Sequence, residues 1–538
     1  MNILKSYMIS KIYNILDYFC LPIILLAAAL LRLPYLTERS LWYDEAASWQ
    51  TAKFPLGEML QSVRLNVHVP LYYLLLKGWM AAWGESVASL RGFSIVFGVL
   101  TVYAANLFGR ELYRASAISV AKDASSAVEV DRKARGFGLV LAGLVAVSAY
   151  QVYASIECKM YSLTTALSVL SAWLLLRILR DPRPRTLWFC YGASCLSLLY
   201  LHHYALFMLA AHVIFWVSYL AFQAAHGGWA QSRDLLVPWA AVSAVVTLGY
   251  LPGMAILRGQ VGRVRGDYWI GPLSWDSFFS TFANFVRPSP DVELLPYGEF
   301  VAEIVVIAAV IVAARGRRGD YLVITLSLLP MAFAAMASMI TPVWVPRYFR
   351  MVHPFLLSLV ALAAWRVPRI RPTLFAAGFA VLLASDVVFW KLLDIPGGPG
   401  VRGAVESALA GRLGDEMIVA TDFMQYFPAK YYTKQRARIR LLDAPDNPFW
   451  GEQLVRPSDR ITRKGLATEL RRGVWVICKG SDLTLVVGTD KVKILYSRVF
   501  RYYNNIHDNL RVVHCILDTD LDSQNSASDP VEIDLPPR

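Results

Sequence analysis

Apolar residues in this chain fall in long uninterrupted blocks, separated by short polar stretches. Eleven blocks can be read: Phe19–Leu36, Gly92–Phe108, Gly136–Ile156, Met160–Leu176, Leu187–Leu201, Tyr204–Ala225, Leu235–Leu257, Phe300–Ala314, Tyr321–Ile340, Met351–Trp365 and Leu374–Leu393. Most reach the roughly 17–25 residues a helix needs to cross a bilayer core. The blocks ending at Leu201, Ala314 and Trp365 are shorter and draw on their polar flanks. The pattern predicts an α-helical polytopic membrane protein with about eleven transmembrane helices. From about residue 395 the texture changes. Pro396-Gly-Gly-Pro-Gly400 reads as a linker. Short β-rich runs follow (Met417–Thr421, Val474–Cys478, Leu483–Val487, Leu510–Leu517), alternating with helical stretches such as Gln425–Tyr432. The expected organisation is a membrane domain over 1–394, a small α/β domain over 395–517, and a disordered acidic tail over 518–538.

Composition sharpens this picture. The chain has 538 residues, of which 56% are apolar and 17% charged, against about 25% charged in soluble domains. The net charge of +13 raises the question of a nucleic-acid partner. Residues 1–394 carry 33 basic and 22 acidic groups, whereas 395–538 carry 20 and 18. The excess therefore belongs to the membrane part, which argues against nucleic acid. If the N-terminus is cytoplasmic, the cytoplasmic pieces hold 19 Lys/Arg in 79 residues and the opposite loops before 395 hold 11 in 108. That bias predicts a cytoplasmic N-terminus, an extracytoplasmic C-terminal domain and an inner-membrane location. Lys5 and Lys11 precede the first block with no small-residue cleavage site after it, so the block reads as a retained anchor. Of six cysteines, Cys478 and Cys515 share the outer domain, where a disulfide is one of two open readings.

The densest chemistry follows the first block, in Leu41-Trp-Tyr-Asp-Glu-Ala-Ala-Ser-Trp49. Adjacent carboxylates repel unless a cation or a positive substrate region is near. Asp44 or Glu45 could take a proton from an acceptor hydroxyl while the other fixes geometry or a metal. The alternative is a pair of solvated acids at a helix start. The connecting loop, 37–88, is long for a simple connector, and its run Asn66-Val-His-Val-Pro-Leu-Tyr-Tyr-Leu-Leu-Leu-Lys77 suggests interfacial helices.

These segments carry a resemblance. An apolar first span with Arg32 near its outer end is followed by "LWYDEAASW", "HVPLYYLLLKGW" and "SLRGFSIVFGVLTVYAANLFGRELY". The order resembles the GT-C membrane glycosyltransferases of the protein O-mannosyltransferase and aminoarabinose-transferase type, in particular the bacterial branch with RgtA/B/C/D-like domains. "SAYQVYASIECKMYSLTTALSVL" and "PRYFRMVHPFLLSL" are similar to later blocks of that family. The likeness covers about 20–390. Many relatives have His-His-Pro-Pro where this chain has Val67-His68-Val69-Pro70. The resemblance implies an inverting transfer of a hexosyl or pentosyl group from a polyprenyl-phosphate donor to an envelope protein, lipid or polysaccharide. Asp44 matches the catalytic first-loop acid. Some members bind a divalent metal beside it and others need none.

Other candidates rest on their own chemistry. Arg347, beside Tyr348, matches the family's Arg-Tyr and offers a bidentate fork for a departing phosphate. Arg32, with Arg347 and Tyr348 a candidate for the donor phosphate, is the one charge within its span, where intramembrane charges are functional hypotheses by default and a snorkelling anchor is the alternative. Glu157, Lys159 and Tyr161 sit at an outer corner, lining a cavity or forming a surface ion pair. His202 and His203 could join Asp44 and Glu45 around a metal or simply occupy a turn. His68, Arg263 and Arg265 are further substrate-side candidates, the two arginines through attraction to phosphate-bearing or anionic membrane lipids. Two rivals stay open: a transporter or flippase for lipid-linked saccharides, which would need recurring charges at mid-span, and a non-catalytic assembly protein.

Overall fold

The computed structural model describes residues 19–34, 36–117, 124–226, 229–264, 269–286, 298–393, 400–443, 452–479, 492–501 and 509–517. The linker at 396–399, the run Leu483–Val487 and the tail lie outside them. The chain divides into two compact units: Met1–Thr37 with Thr51–Asp394, and Glu38–Gln50 with Ile395–Arg538.

All eleven apolar blocks fall in helices of the first unit. They are α1 (Phe19–Leu30), then α5 (Val87–Ser116), α6 (Ala124–Ala146) with α7 (Ala149–Ser155), α8 (Tyr161–Arg180), α9 (Arg185–Leu199), α10 (Ala205–Ala225), α11 (Trp229–Val264), α13 (Gly298–Ala313), α14 (Arg318–Ser338), α15 (His353–Trp365) and α16 (Arg371–Leu393). Among the described residues six of them are long and apolar enough to cross a membrane. The block Gly136–Ile156 becomes a pair, α6 and α7, bent by 65°. Between α1 and α5 lie α2 (Tyr43–Lys53), α3 (Leu56–Leu65) and α4 (Leu71–Trp83), each too short to span. The remaining helix, α12 (Trp275–Asn284), starts with a Ser274–Ser277 capping box.

In lipid, helices associate through packing rather than expulsion of water, so small residues at crossings matter. Helices α5 and α6 cross at Gly109 and Gly138, where a Cβ on Gly109 would lie 3.1 Å from the Gly138 backbone. Phe108, Phe137, Trp216 and Phe355 belong to a large buried cluster of this unit.

The second unit is an α/β domain. Among the described residues its strands are β1 (Met417–Ala420), β2 (Ile439–Leu442), β3 (Arg460–Ile461), β4 (Val474–Lys479), β5 (Val492–Arg501) and β6 (Asn509–Leu517), in the order β3-β2-β1-β4-β6-β5. The first four pair in parallel, and β6 runs antiparallel to β4 and β5. Helices α17 (Val401–Gly411), α18 (Phe423–Thr433) and α19 (Arg463–Leu470) complete it. The all-apolar burial of β1 matches a parallel strand covered on both faces. Cys478 and Cys515 are not disulfide-bonded. The register sets Cys515 opposite Val474 and Cys478 opposite Arg511, so the thiols sit at different levels of the sheet.

Candidate functional site

In the first unit a polar cluster gathers around the corner between α7 and α8 and a 3-10 turn, Pro346–Met351. Glu157 and Lys159 are 2% and 3% exposed, so they do not form a surface ion pair. The partner of Glu157 is Arg350, whose Nη1 donates to Oε2 at 2.7 Å. Three rings cage that guanidinium, with centroids 4.5 Å (Tyr161), 4.9 Å (Tyr153) and 5.8 Å (Tyr150) away, an arrangement that favours a cation electrostatically. Burial works against Arg350's charge, but Glu157 and these phenols outweigh it and hold its pKa above the ordinary value.

The turn carrying Arg350 is fixed from behind. Tyr150 Oη donates to the Pro346 carbonyl (2.6 Å) and Gln151 Nε2 to the Arg350 carbonyl (2.9 Å). Gln151 also reaches His353 Nδ1 at 3.2 Å, and His353 Nε2 meets the Phe285 carbonyl at 3.1 Å. A neutral His353 with its proton on Nε2 satisfies both contacts.

Arg347, half-buried, lies over the rings of Trp269 (5.1 Å) and Tyr348 (5.8 Å). Tyr348 packs on Tyr204 (5.1 Å) and His202 (5.0 Å). Burial, then His203, Lys159 and Arg347, push the His202 pKa down to about 3. His202 is therefore a neutral imidazole, and its Nδ1 accepts the Tyr204 N–H at 3.1 Å, leaving the proton on Nε2. His203 turns elsewhere. Its Nε2 donates to Gln260 Oε1 at 2.7 Å, and Gln260 Nε2 donates to the His68 carbonyl at 2.8 Å and to that of Val63. Burial also lowers the His203 pKa. His68 thus meets this network through its backbone, with its ring 5.9 Å from that of Tyr73.

Arg32 is fully buried at a different place. Its Nη1 donates to the carbonyls of Ala28 (2.8 Å) and Ala146 (3.1 Å), closing the C-terminal ends of α1 and α6. Gly98 makes room for it: a Cβ there would lie 3.1 Å from Arg32 Nε and 2.2 Å from Ser155 Oγ. Arg265 lies outside the described residues, as does the side chain of Arg263.

Asp44 and Glu45 belong to the second unit. Both occupy the first turn of α2, where acidic residues complement the helix dipole. Glu45 is fully buried and accepts weakly from the Trp42 N–H (3.4 Å), while Asp44 is half-buried and its carbonyl accepts from Ser48 Oγ (2.8 Å). The segment is held to the α/β domain. The Leu41 N–H donates to Tyr432 Oη (2.7 Å), and the Arg402 N–H donates to Ser40 Oγ (3.0 Å). Tyr43 packs on Phe423 (5.1 Å) and Phe427 (5.8 Å), and Trp49 packs edge-on to Tyr431 (5.1 Å).

The residues suggested as metal ligands divide between the units, Asp44 and Glu45 in the second and His202 and His203 in the first. Among the described residues no three His, Cys, Asp or Glu side chains are grouped to hold a metal ion. The two histidines also spend ring nitrogens on Tyr204 and Gln260. Sequence reasoning passed over Arg350 and its cage of Tyr150 and Tyr153. The available signal was a second arginine one turn beyond Arg347.

No protein-family model matches the chain, and no curated protein matches it in sequence. Among solved structures it is similar to ArnT from Cupriavidus metallidurans, with a TM-score of 0.57 in both states. In the apo state identity is 12%, and bound to undecaprenyl phosphate it is 11%; both cover 91% of this chain and 97% of that one. An oligosaccharyltransferase of Archaeoglobus fulgidus, in complex with Zn and sulfate, is similar at a TM-score of 0.50 and 11% identity, covering 86% of this chain and 68% of that one. The protein is thus a multi-pass membrane protein with the GT-C fold of ArnT and oligosaccharyltransferase.

Proposed function

We propose that the protein transfers a sugar, with inversion, from a polyprenyl-phosphate donor to an envelope acceptor on the outer face of the membrane. The observation that carries this reading is the group of buried Lys159 and Arg350 with half-buried Arg347, lined by aromatic rings. It supports an anionic, partly apolar ligand. ArnT, which shares the fold, was solved with undecaprenyl phosphate bound.

In this mechanism Lys159 and Arg347, beside the Glu157–Arg350 pair, supply positive charge to the leaving phosphate as the glycosidic C–O bond breaks. Neutral His202 adds an N–H donor through Nε2. Asp44 takes the proton of the acceptor hydroxyl as that oxygen attacks the anomeric carbon from the opposite side. Glu45 holds the helix start that carries Asp44. Arg32 serves as a positioning residue at the ends of α1 and α6. The N-terminus is taken as cytoplasmic and the α/β unit as extracytoplasmic, where it would receive a protein, lipid or polysaccharide acceptor.

The test is transfer of labelled sugar from a synthetic polyprenyl-phosphate donor by the purified full-length protein. Removing a general base costs about 10²–10⁴ in rate, so Asp44→Asn should fall by that factor with an unchanged melting temperature. Near-normal turnover would overturn the assignment. Movement of the lipid-linked sugar across liposomes without covalent transfer would favour a flippase.

A further inference from the structure

A cavity of about 510 Å³ lies in the first unit, away from the Arg350 cluster. It opens where α5 ends, α6 begins, α13 gives way to α14, and α15 gives way to α16. Helix α5 passes the cluster at Ser94, which meets the Lys159 carbonyl, and ends in the cavity at Ser116. Helix α15 likewise begins at His353 and ends at Trp365, a cavity residue. The cavity therefore sits at the opposite ends of the helices that frame the proposed active site.

Its charges are unevenly matched. Lys133 is paired with Glu129 at 3.2 Å, and Arg366 with the buried carboxylate of Asp320. Arg315 and Arg371 also line it, and neither forms an ion pair with an acid among the described residues. Arg371 instead lies 4.8 Å over the Trp365 ring, and Arg315 Nε donates to the Val312 carbonyl. Ser116, 4% exposed, also lines the cavity, with its buried Oγ packed beside Gly319, where a Cβ would lie 2.3 Å away. Two guanidinium groups without an acidic partner among the described residues and an aromatic wall (Tyr113, Trp365) suit the phosphate of an ester.

The surroundings identify the source of that phosphate. Ile370 and Leu374, on either side of Arg371, are 50% and 41% exposed, and Val128 beside Glu129 is 43% exposed. A soluble phosphate compound has no use for such flanks, whereas acyl chains do. Basic pockets between transmembrane helices on the side rich in positive loops bind anionic lipid headgroups. We propose that this cavity seats the headgroup of one anionic phospholipid of the surrounding bilayer, its phosphate between Arg315 and Arg371 and its chains along Ile370 and Leu374. The seat would brace the junctions of α5, α6, α14 and α15, independently of any sugar transfer.

The experiment is native mass spectrometry of the full-length protein, stripped of lipid in detergent and then given phosphatidylglycerol, phosphatidylcholine or inorganic phosphate. The expected result is one phosphatidylglycerol per protein, little phosphatidylcholine, and no displacement by equimolar inorganic phosphate. Arg315→Ala/Arg371→Ala should weaken the lipid by about thirtyfold, and Arg315→Lys/Arg371→Lys should keep most of the affinity. Arg183→Ala/Arg185→Ala removes the same charge from the exposed α8–α9 connection and should change it little. Equal losses in the two alanine pairs would reduce the effect to general charge attraction and overturn the proposal. So would equal binding of both lipids, or displacement by free phosphate. The melting temperature of each variant, measured without lipid, separates lost binding from lost folding.

Discussion

Glu157 and Arg350, 193 residues apart in sequence, meet at 2.7 Å with side chains only 2% and 3% exposed. A buried pair is costly to assemble but still more costly to break, because the surviving partner keeps its charge without compensation. The pair therefore ties the α7–α8 corner to the turn before α15 and sets where Arg347 and Lys159 sit.

Breaking one side of this pair tests that role. Glu157→Gln should destabilise the protein by about 3–5 kcal/mol, and Glu157→Gln/Arg350→Gln should recover part of the loss. Melting temperatures in detergent measure both. Full stability of the single variant would show that the pair contributes nothing to the corner.

Arg347 is half-buried and stacked on Trp269 and Tyr348 rather than enclosed. Removing one donor to a developing negative charge costs about 10²–10³ in rate. Arg347→Ala should lower kcat/KM for the lipid-linked donor by that amount without lowering the melting temperature. Arg347→Lys should restore part of it.

The histidine pair makes stability depend on acidity. The folded pKa of His202, about 3, lies below the unfolded value of about 6.5. Between these values the unfolded chain binds a proton that the folded chain does not, so stability falls as pH drops below about 6.5. His203 shifts in the same direction. His202→Gln should flatten the fall in melting temperature between pH 7 and 5. An unchanged slope would mean that His202 binds its proton equally in the folded and unfolded chains.

Tyr432 accepts the N–H of fully buried Leu41. Tyr432→Phe should cost about 1–3 kcal/mol because that N–H is left unsatisfied. Faster proteolysis near residues 38–50 would register the change, and wild-type resistance would show that the bond is dispensable.

Cys478 and Cys515 should both alkylate after denaturation without a reducing agent. In the native protein Cys515 should react slowly, since burial, with Cys478 nearby, pushes its thiol pKa up to about 12. A mass two daltons lower than that of the reduced chain would instead reveal a bridge.

The membrane helices were legible because each needs only a run of apolar residues, which is local information. The bend between α6 and α7 was not legible, since Gly136–Ile156 reads as one continuous apolar block. Strands β1, β4 and β6 of the second unit were also readable, for the same local reason. Strand β5 (Val492–Arg501) was missed, because its alternation is mixed with Lys493, Arg498 and Arg501.

The candidate site divides along the same line. Composition and local pattern alone established a helical membrane protein, a basic bias on one set of loops, and an acid pair after the first block. Tertiary structure alone decided that Glu157 pairs with Arg350, that His202 and His203 face different partners, and that Glu38–Gln50 belongs with the α/β unit. An apolar run has one low-energy answer in a bilayer whatever lies elsewhere in the chain. A buried charge has none until a distant segment supplies its partner, and no sequence interval records which segment that is.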